Sequence, residues 1–390
     1  MLGLAGVRSE AALPRKSLLV RWLVLKILAV LPTFRPENYT GKVGGGEISN
    51  RILLQSLAER GHSVTVCAIS SRNHPQSKVV VHASEGRHCG KILNKILGLV
   101  KYRALIRREV RKVKPDVILC GTKGVEAAVK EGKKLRVPVG IFIRAFENLN
   151  DCKSQGSIFN KLKAALEGLV YGDYGPDVVE KLDFLLPNSR FMEKCILERF
   201  PNKRTKVVCP PIMEAEIQPL KISKNIKSVY MVGASEHKGA HIFSALADRF
   251  PDVIFGVIGD ASIPPGEVKI EGNIKRYGWT DVVKLLSDEA DLFVVPSVCE
   301  EAFGRVAIEG LIAGCTLLAS NIGGLPETVN FESELLVPPD DEREWVARIA
   351  DVIEKPDILH TAVRRAQSNV PKYFRENQVN ELESFLLSYV

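Results

Sequence analysis

"VVPSVCEEAFGRVAIEGLIAGCTLLASNIGGLPE", Val294 to Glu327, is the stretch whose reading decides the fold. An apolar run closes at Pro296, a polar loop follows, and apolar residues then recur at helical spacing (Ala307, Ile308, Leu311, Ile312). A second apolar run starts at Thr316. Strand, loop, helix and strand in about 30 residues make one βαβ unit of a parallel sheet. The unit carries two acids, Glu301 in the loop and Glu309 among the apolar positions of the helix. A carboxylate on a packed helix needs a partner, supplied by the chain or by a ligand. The amides of Phe303, Gly304 and Arg305 would form the first turn, a place that favours an anion. A carboxylate one turn further on can accept two hydrogen bonds from a vicinal diol such as that of a ribose.

The same alternation runs outward in both directions. Upstream, "LKILAVLP", "SVTVCAIS", "DVILCGT", "VPVGIFIR" and "DFLLPNS" read as strands separated by helical stretches; downstream the series is "SVYMVG", "VIFGVIG", "DLFVVPS", "TLLAS" and "ELLVPP". The chain of 390 residues is therefore expected to be α/β, with two doubly wound domains facing each other across a cleft. We expect an N-terminal extension over 1–24, a first Rossmann-like domain over 25–208, a linker over 209–225, a second such domain over 226–372 and a terminal helix over 373–390. The apolar run from Ser17 to Pro32 is interrupted by Arg21 and Lys26 and is too short to span a bilayer, so its second half reads as the first buried strand.

Charge is divided between the halves. Residues 1–190 hold 32 Lys+Arg against 16 Asp+Glu, so the first half is basic and calls for an anionic partner or surface. Nine of those cations, with one acid, fall in residues 91–114, where Ile92, Ile96, Leu99 and Arg103 recur at roughly helical spacing. A basic amphipathic helix there can lie on an anionic leaflet, or pack its apolar side inward and leave a solvated charged face. Few aromatics interleave these cations, which argues against nucleic acid. The eight cysteines form no C-x-x-C pair and read as reduced thiols of a cytoplasmic protein.

Two further loops follow strands. "GGGEIS", Gly44 to Ser49, opens a helix; its contiguous glycines allow close approach of a ligand but do not match a dinucleotide fingerprint. "VGASEHKG", Val232 to Gly239, places Lys238 near a helix start, where an ammonium and free amides can act together on a phosphate. Neither G-x-x-x-x-G-K-S/T nor D-x-D occurs, which disfavours a nucleoside triphosphatase and a metal-dependent single-domain sugar transferase. No metal or other cofactor is called for.

With these three motifs on the page, the chain resembles the retaining glycosyltransferases of family 4, which have the two-domain GT-B fold. The signature is Glu301, seven residues, Glu309, then the paired glycine Gly323–Gly324. The resemblance implies that Glu309 holds the donor ribose, that Glu301 lies close to the donor sugar and leaving group, and that amides near Phe303 and Gly304 bind sugar hydroxyls. It implies that Lys238 neutralises the diphosphate while Gly45 and Gly46 approach from the other domain. Two departures stand out. Where the family has an arginine after Val-Gly, this chain has Ala234 and Ser235, leaving Arg305 or Arg276 as the second cation. Where the family often has a histidine near the donor sugar, this chain offers Arg144 or Glu147.

The resemblance implies transfer, without metal and with retention, from a nucleotide-diphosphate sugar to a glycan or lipid-linked acceptor, in cell-envelope polysaccharide or glycolipid assembly on the inner membrane face. The alternatives are a sugar-nucleotide epimerase on the same fold and a non-catalytic nucleotide-sugar-binding relative.

Overall fold

A computed structural model describes residues 23–35, 43–71, 78–84, 91–145 and 176–389. The first seven strands are β1 (Lys26–Phe34), β2 (Ser63–Ser71), β3 (Val80–Ala83), β4 (Val117–Cys120), β5 (Val139–Ile143), β6 (Phe184–Pro187) and β7 (Arg204–Thr205), forming one parallel sheet in the order β3-β2-β1-β4-β5-β6-β7. The other seven are β8 (Ser228–Val232), β9 (Ile254–Ile258), β10 (Val268–Glu271), β11 (Ile274–Tyr277), β12 (Leu292–Val295), β13 (Thr316–Ser320) and β14 (Leu336–Val337). They form a second sheet in the order β10-β11-β9-β8-β12-β13-β14, parallel except for the β10–β11 pair. All ten strands read from the sequence are present; β3, β7 and the β10–β11 hairpin are additional.

The central strands are continuous apolar runs because helices cover both sheet faces. Every residue of β4, β12 and β13 is buried. On one face of the first sheet, Leu53, Leu54 and Leu57 of the helix Gly45–Glu59 pack with Val379, Leu382 and Leu386. Those last three belong to the terminal helix Arg375–Leu387, which therefore shares the first domain's core although it follows the second in sequence. On the opposite face Tyr102, Ile106 and Val110 of the helix Lys91–Val113 are buried. This half of the basic segment packs inward, with Lys101, Arg107, Arg108, Arg111 and Lys112 exposed. The side chains of Ile92, Ile96 and Leu99 lie outside the described residues, as do Glu147, Cys89, Cys152 and nearly all of the N-terminal extension.

The chain crosses between domains twice, and the crossings are tied together. Ile212 N–H donates to Tyr373 O at 2.9 Å, and Arg375 N–H donates to Ile212 O at 2.7 Å. The linker is fastened to the second domain by Gln218 N–H on Ile312 O and by the Lys221 ammonium on the carbonyls of Leu286 and Ala290.

Strand order reverses between β1 and β4 in the first sheet and between β8 and β12 in the second. Ligands of open α/β sheets sit beyond the carboxyl ends of the strands at such reversals. The glycine loop follows β1, the Lys238 loop follows β8, and the Glu301 loop follows β12. Topology alone thus gathers the three motifs.

Candidate active site

The helix Arg305–Ile312 begins at Gly304, buries Ala307, Ile308, Leu311 and Ile312 against the second sheet, and turns Glu309 away from that core. Glu309 finds its partner one turn back: Arg305 Nε donates to Glu309 Oε1 at 2.9 Å. Burial raises the Glu309 carboxyl above its ordinary value, and Arg305 opposes that rise. The chain itself therefore supplies the partner that the sequence left open.

Lys238 occupies a 3₁₀ turn, Glu236–Lys238, just ahead of the helix Ala240–Arg249 rather than on it. Its ammonium lies 2.7 Å from Glu301 Oε1, and the Ser297 hydroxyl donates to the same oxygen. Gly239, at φ +81°, lets the two loops meet: a Cβ there would stand 2.0 Å from Pro296 O. Val298 N–H donates to His237 O at 3.2 Å, which ties the loops a second time. The paired glycine supports the Glu301 loop from behind. A Cβ on Gly323 would lie 2.5 Å from Glu301 O, and Gly324 N–H donates to that carbonyl at 2.7 Å.

Across from this loop stand Gly45 and Gly46 in the first turn of the helix Gly45–Glu59, with Ser49 one turn on. A cleft of about 230 Å³ runs between the domains, lined by Gly45, Gly46, Ser49, Arg144, Asn188 and Pro210 on one side. Glu301, Ala302, Phe303, Gly304 and Arg305 line the other. Arg144 donates from Nη1 to Val208 O at 2.7 Å and from Nε to Asn50 Oδ1 at 3.1 Å, and burial pulls its guanidinium down to about 10.

The structure thus brings together Gly45, Gly46, Arg144, Glu301, Phe303, Gly304 and Arg305, with Lys238 joined through Glu301 and Glu309 through Arg305. It also separates the two arginines left as second cation. Arg305 lines the cleft, whereas Arg276 lies on β11 between Asp260, 3.3 Å away, and Glu271, 3.4 Å away. Ser49, Asn188 and Ser297 were missed by sequence reasoning. Each is a small polar residue at a strand end or helix start, a pattern with many other uses. Among the described residues no group of three or more His, Cys, Asp or Glu side chains could hold a metal ion.

Two family models match the chain. The family model "Glycosyltransferase Family 4" matches residues 43–215, and "Glycosyl transferases group 1" matches residues 227–355. The chain belongs to the family 4 glycosyltransferases and has their GT-B fold. An uncharacterized 42.6 kDa protein in the cps region of Klebsiella pneumoniae is 25% identical over 319 residues, covering 74% of this chain and 84% of that one. A D-inositol 3-phosphate glycosyltransferase of Saccharomonospora viridis is 36% identical over 115 residues, 29% of this chain and 26% of that one. Among solved structures, Anabaena HepE in complex with UDP and glucose superposes with a TM-score of 0.64 at 19% identity, over 94% of this chain and 100% of that one.

Proposed function

We propose that the protein is a retaining, metal-independent glycosyltransferase that moves a sugar from a nucleotide-diphosphate donor to a glycan or lipid-linked acceptor, in cell-envelope polysaccharide or glycolipid assembly. The observation that carries this reading is the Lys238–Glu301 pair at the cleft edge, opposite Gly45 and Gly46 and beside Arg305. Glu309 accepts the ribose hydroxyls. Lys238 and Arg305 meet the charge that develops on the departing diphosphate, and fixed donors of this kind need no reorganisation during the reaction. Arg305 stands in for the cation absent at Ala234. Glu301 orients Lys238 and lies against the donor sugar, with amides of Phe303 and Gly304 on its hydroxyls.

Among the described residues the carboxylate that lines the cleft, Glu301, is held by Lys238 and Ser297 rather than set as a covalent nucleophile, so the acceptor oxygen attacks from the face the leaving group vacates. The phosphate oxygen takes its proton. The K. pneumoniae relative from the cps region supports the polysaccharide setting. The exposed cations of the helix Lys91–Val113 support docking on an anionic membrane surface, where a lipid-linked acceptor would be held. Among the described residues no helix is long and apolar enough to cross a membrane.

The test is a thermal-shift titration with the diphosphates of uridine, guanosine and adenosine on the protein and on Glu309→Ala, because only a bound nucleotide raises the midpoint. One diphosphate raises it selectively, and the variant loses the shift. Absence of a shift with all three would end the transferase reading.

A further inference from the structure

The cleft has a second set of connections that the donor site does not use. Ser189 and Arg190 lie at the start of the first-domain helix Arg190–Arg199. Ser189 is completely buried. Its Oγ accepts Met192 N–H at 3.0 Å, the ordinary N-cap bond, and donates to Ala302 O of the second domain at 2.6 Å. Arg190 N–H, which has no acceptor within its own helix, donates to Glu327 Oε2 at 2.7 Å. Glu327 belongs to the second domain and is 5% exposed.

Both bonds land on one mechanical unit. Ala302 follows Glu301 directly. Glu327 ends the Gly-Gly-Leu-Pro-Glu segment whose Gly324 N–H holds Glu301 O. The Tyr373 hydroxyl donates to Glu327 O at 2.7 Å and fixes the far end of that segment at the second domain crossing. Burial pushes the Glu327 carboxyl above its ordinary value, against the pull of Arg190 and Lys372 nearby. A carboxylate in that position is costly unless its hydrogen bond is made. The bond is made only while the domains stand in this arrangement.

We propose that Ser189 and Glu327 form an interdomain latch that positions the Glu301 loop, so that the loop is set for transfer only when the first domain is engaged. This rests on the transferase reading above and makes both side chains positioning residues. Separation of the domains frees the loop at Ala302 and strands Glu327 without its amide partner. The ribose and diphosphate contacts proposed for Glu309 and Lys238 lie outside the latched segment, so binding of a nucleoside diphosphate is independent of the latch. The expected consequence is suppression of donor hydrolysis in the open state, when only water is at hand.

Two measurements test the latch on the full chain. Hydrogen–deuterium exchange needs no substrate. In Ser189→Ala and Glu327→Ala the amides of Val298 and Gly324, bonded to His237 O and Glu301 O, exchange faster by about tenfold, the order implied by loss of one or two hydrogen bonds, while strands β8 and β12 keep their protection. Unchanged exchange at Val298 and Gly324, or a general loss of protection across the second domain, overturns the proposal. Steady-state transfer supplies the second readout. Both alanine variants lose about tenfold in kcat with the thermal shift induced by a nucleoside diphosphate unchanged, and Glu327→Gln, whose amide oxygen still accepts from Arg190, recovers most of the loss. A rise in donor KM with kcat intact, or no rescue by glutamine, refutes the latch. Failure of the transferase reading shows separately, as absence of a nucleotide-induced shift in the unaltered protein while the exchange experiment still reports on the latch.

Discussion

Lys238 and Glu301 are 63 positions apart in sequence and 2.7 Å apart in space. Each looks ordinary alone: a lysine before a helix and a glutamate in a loop. Together they form a charge pair whose acid lines the cleft and is fixed by Ser297, and whose base is about one-third exposed. An incoming diphosphate would compete with Glu301 for that ammonium. Lys238→Met keeps the length of the side chain and removes the charge. It is expected to lower turnover by about 10²-fold or more, the magnitude found for single preorganised donors, with little change in melting temperature; single-turnover transfer assays check this. Glu309 shows the limit of residue-level reading in the other direction. Its partner Arg305 was visible at i−4, a spacing that brings side chains together on one helix face, yet the sequence does not say whether that pair or a ligand satisfies the acid.

At the scale of elements, the loops owe their positions to close backbone contacts that only glycine permits. Gly239 adopts φ +81° with Pro296 O in the space a side chain would need. Left-handed backbone costs an L-residue about 1–2 kcal/mol, and a clash with a carbonyl that cannot move adds to it. Gly239→Ala is therefore expected to lose roughly 2 kcal/mol or more in urea unfolding and to weaken the nucleotide-induced shift, because Lys238 is displaced with its loop. An equal stability for variant and parent would contradict this. Of the strands that sequence reading missed, three have a plain physical cause. All of Val268–Glu271 is exposed, and Ile274–Tyr277 is half-buried, so neither forms an apolar run. The β7 strand has two residues, too few for any pattern.

The whole molecule is closed by its last helix. Arg375–Leu387 returns to the first domain, where Val379, Leu382 and Leu386 are fully buried and Glu383 accepts from His62 Nε2 at 2.7 Å and from Arg60. Burial alone would raise the Glu383 carboxyl, but the bonds from His62 and Arg60 outweigh it and hold the acid below its ordinary value of 4.5. A depressed carboxyl stabilises the fold above its unfolded value, and the contribution is lost as pH falls through the folded one. Melting temperature should thus fall with acidification below about pH 4.5, and Glu383→Gln should flatten that limb while lowering stability at neutral pH. A pH series of thermal unfolding on both proteins checks the sign. A limb unchanged in the variant would remove Glu383 from the account.

The sequence by itself determined the fold class, the two series of strands, the terminal helix and the three loops, because hydrophobic periodicity and glycine placement are local properties written along the chain. It also named Gly45, Gly46, Arg144, Glu301, Phe303, Gly304 and Arg305, all of which line the cleft, but not Ser49 or Ala302 within the same motifs. Only the tertiary structure showed which of the two arginines lines the cleft, since Arg305 and Arg276 differ in what surrounds them and not in their chemistry. It alone showed that the last helix belongs to the first domain's core. It alone brought Ser189 and Glu327 to either side of the domain boundary. Contacts of that kind depend on how two sheets are set against each other, and no local pattern in either sheet encodes it.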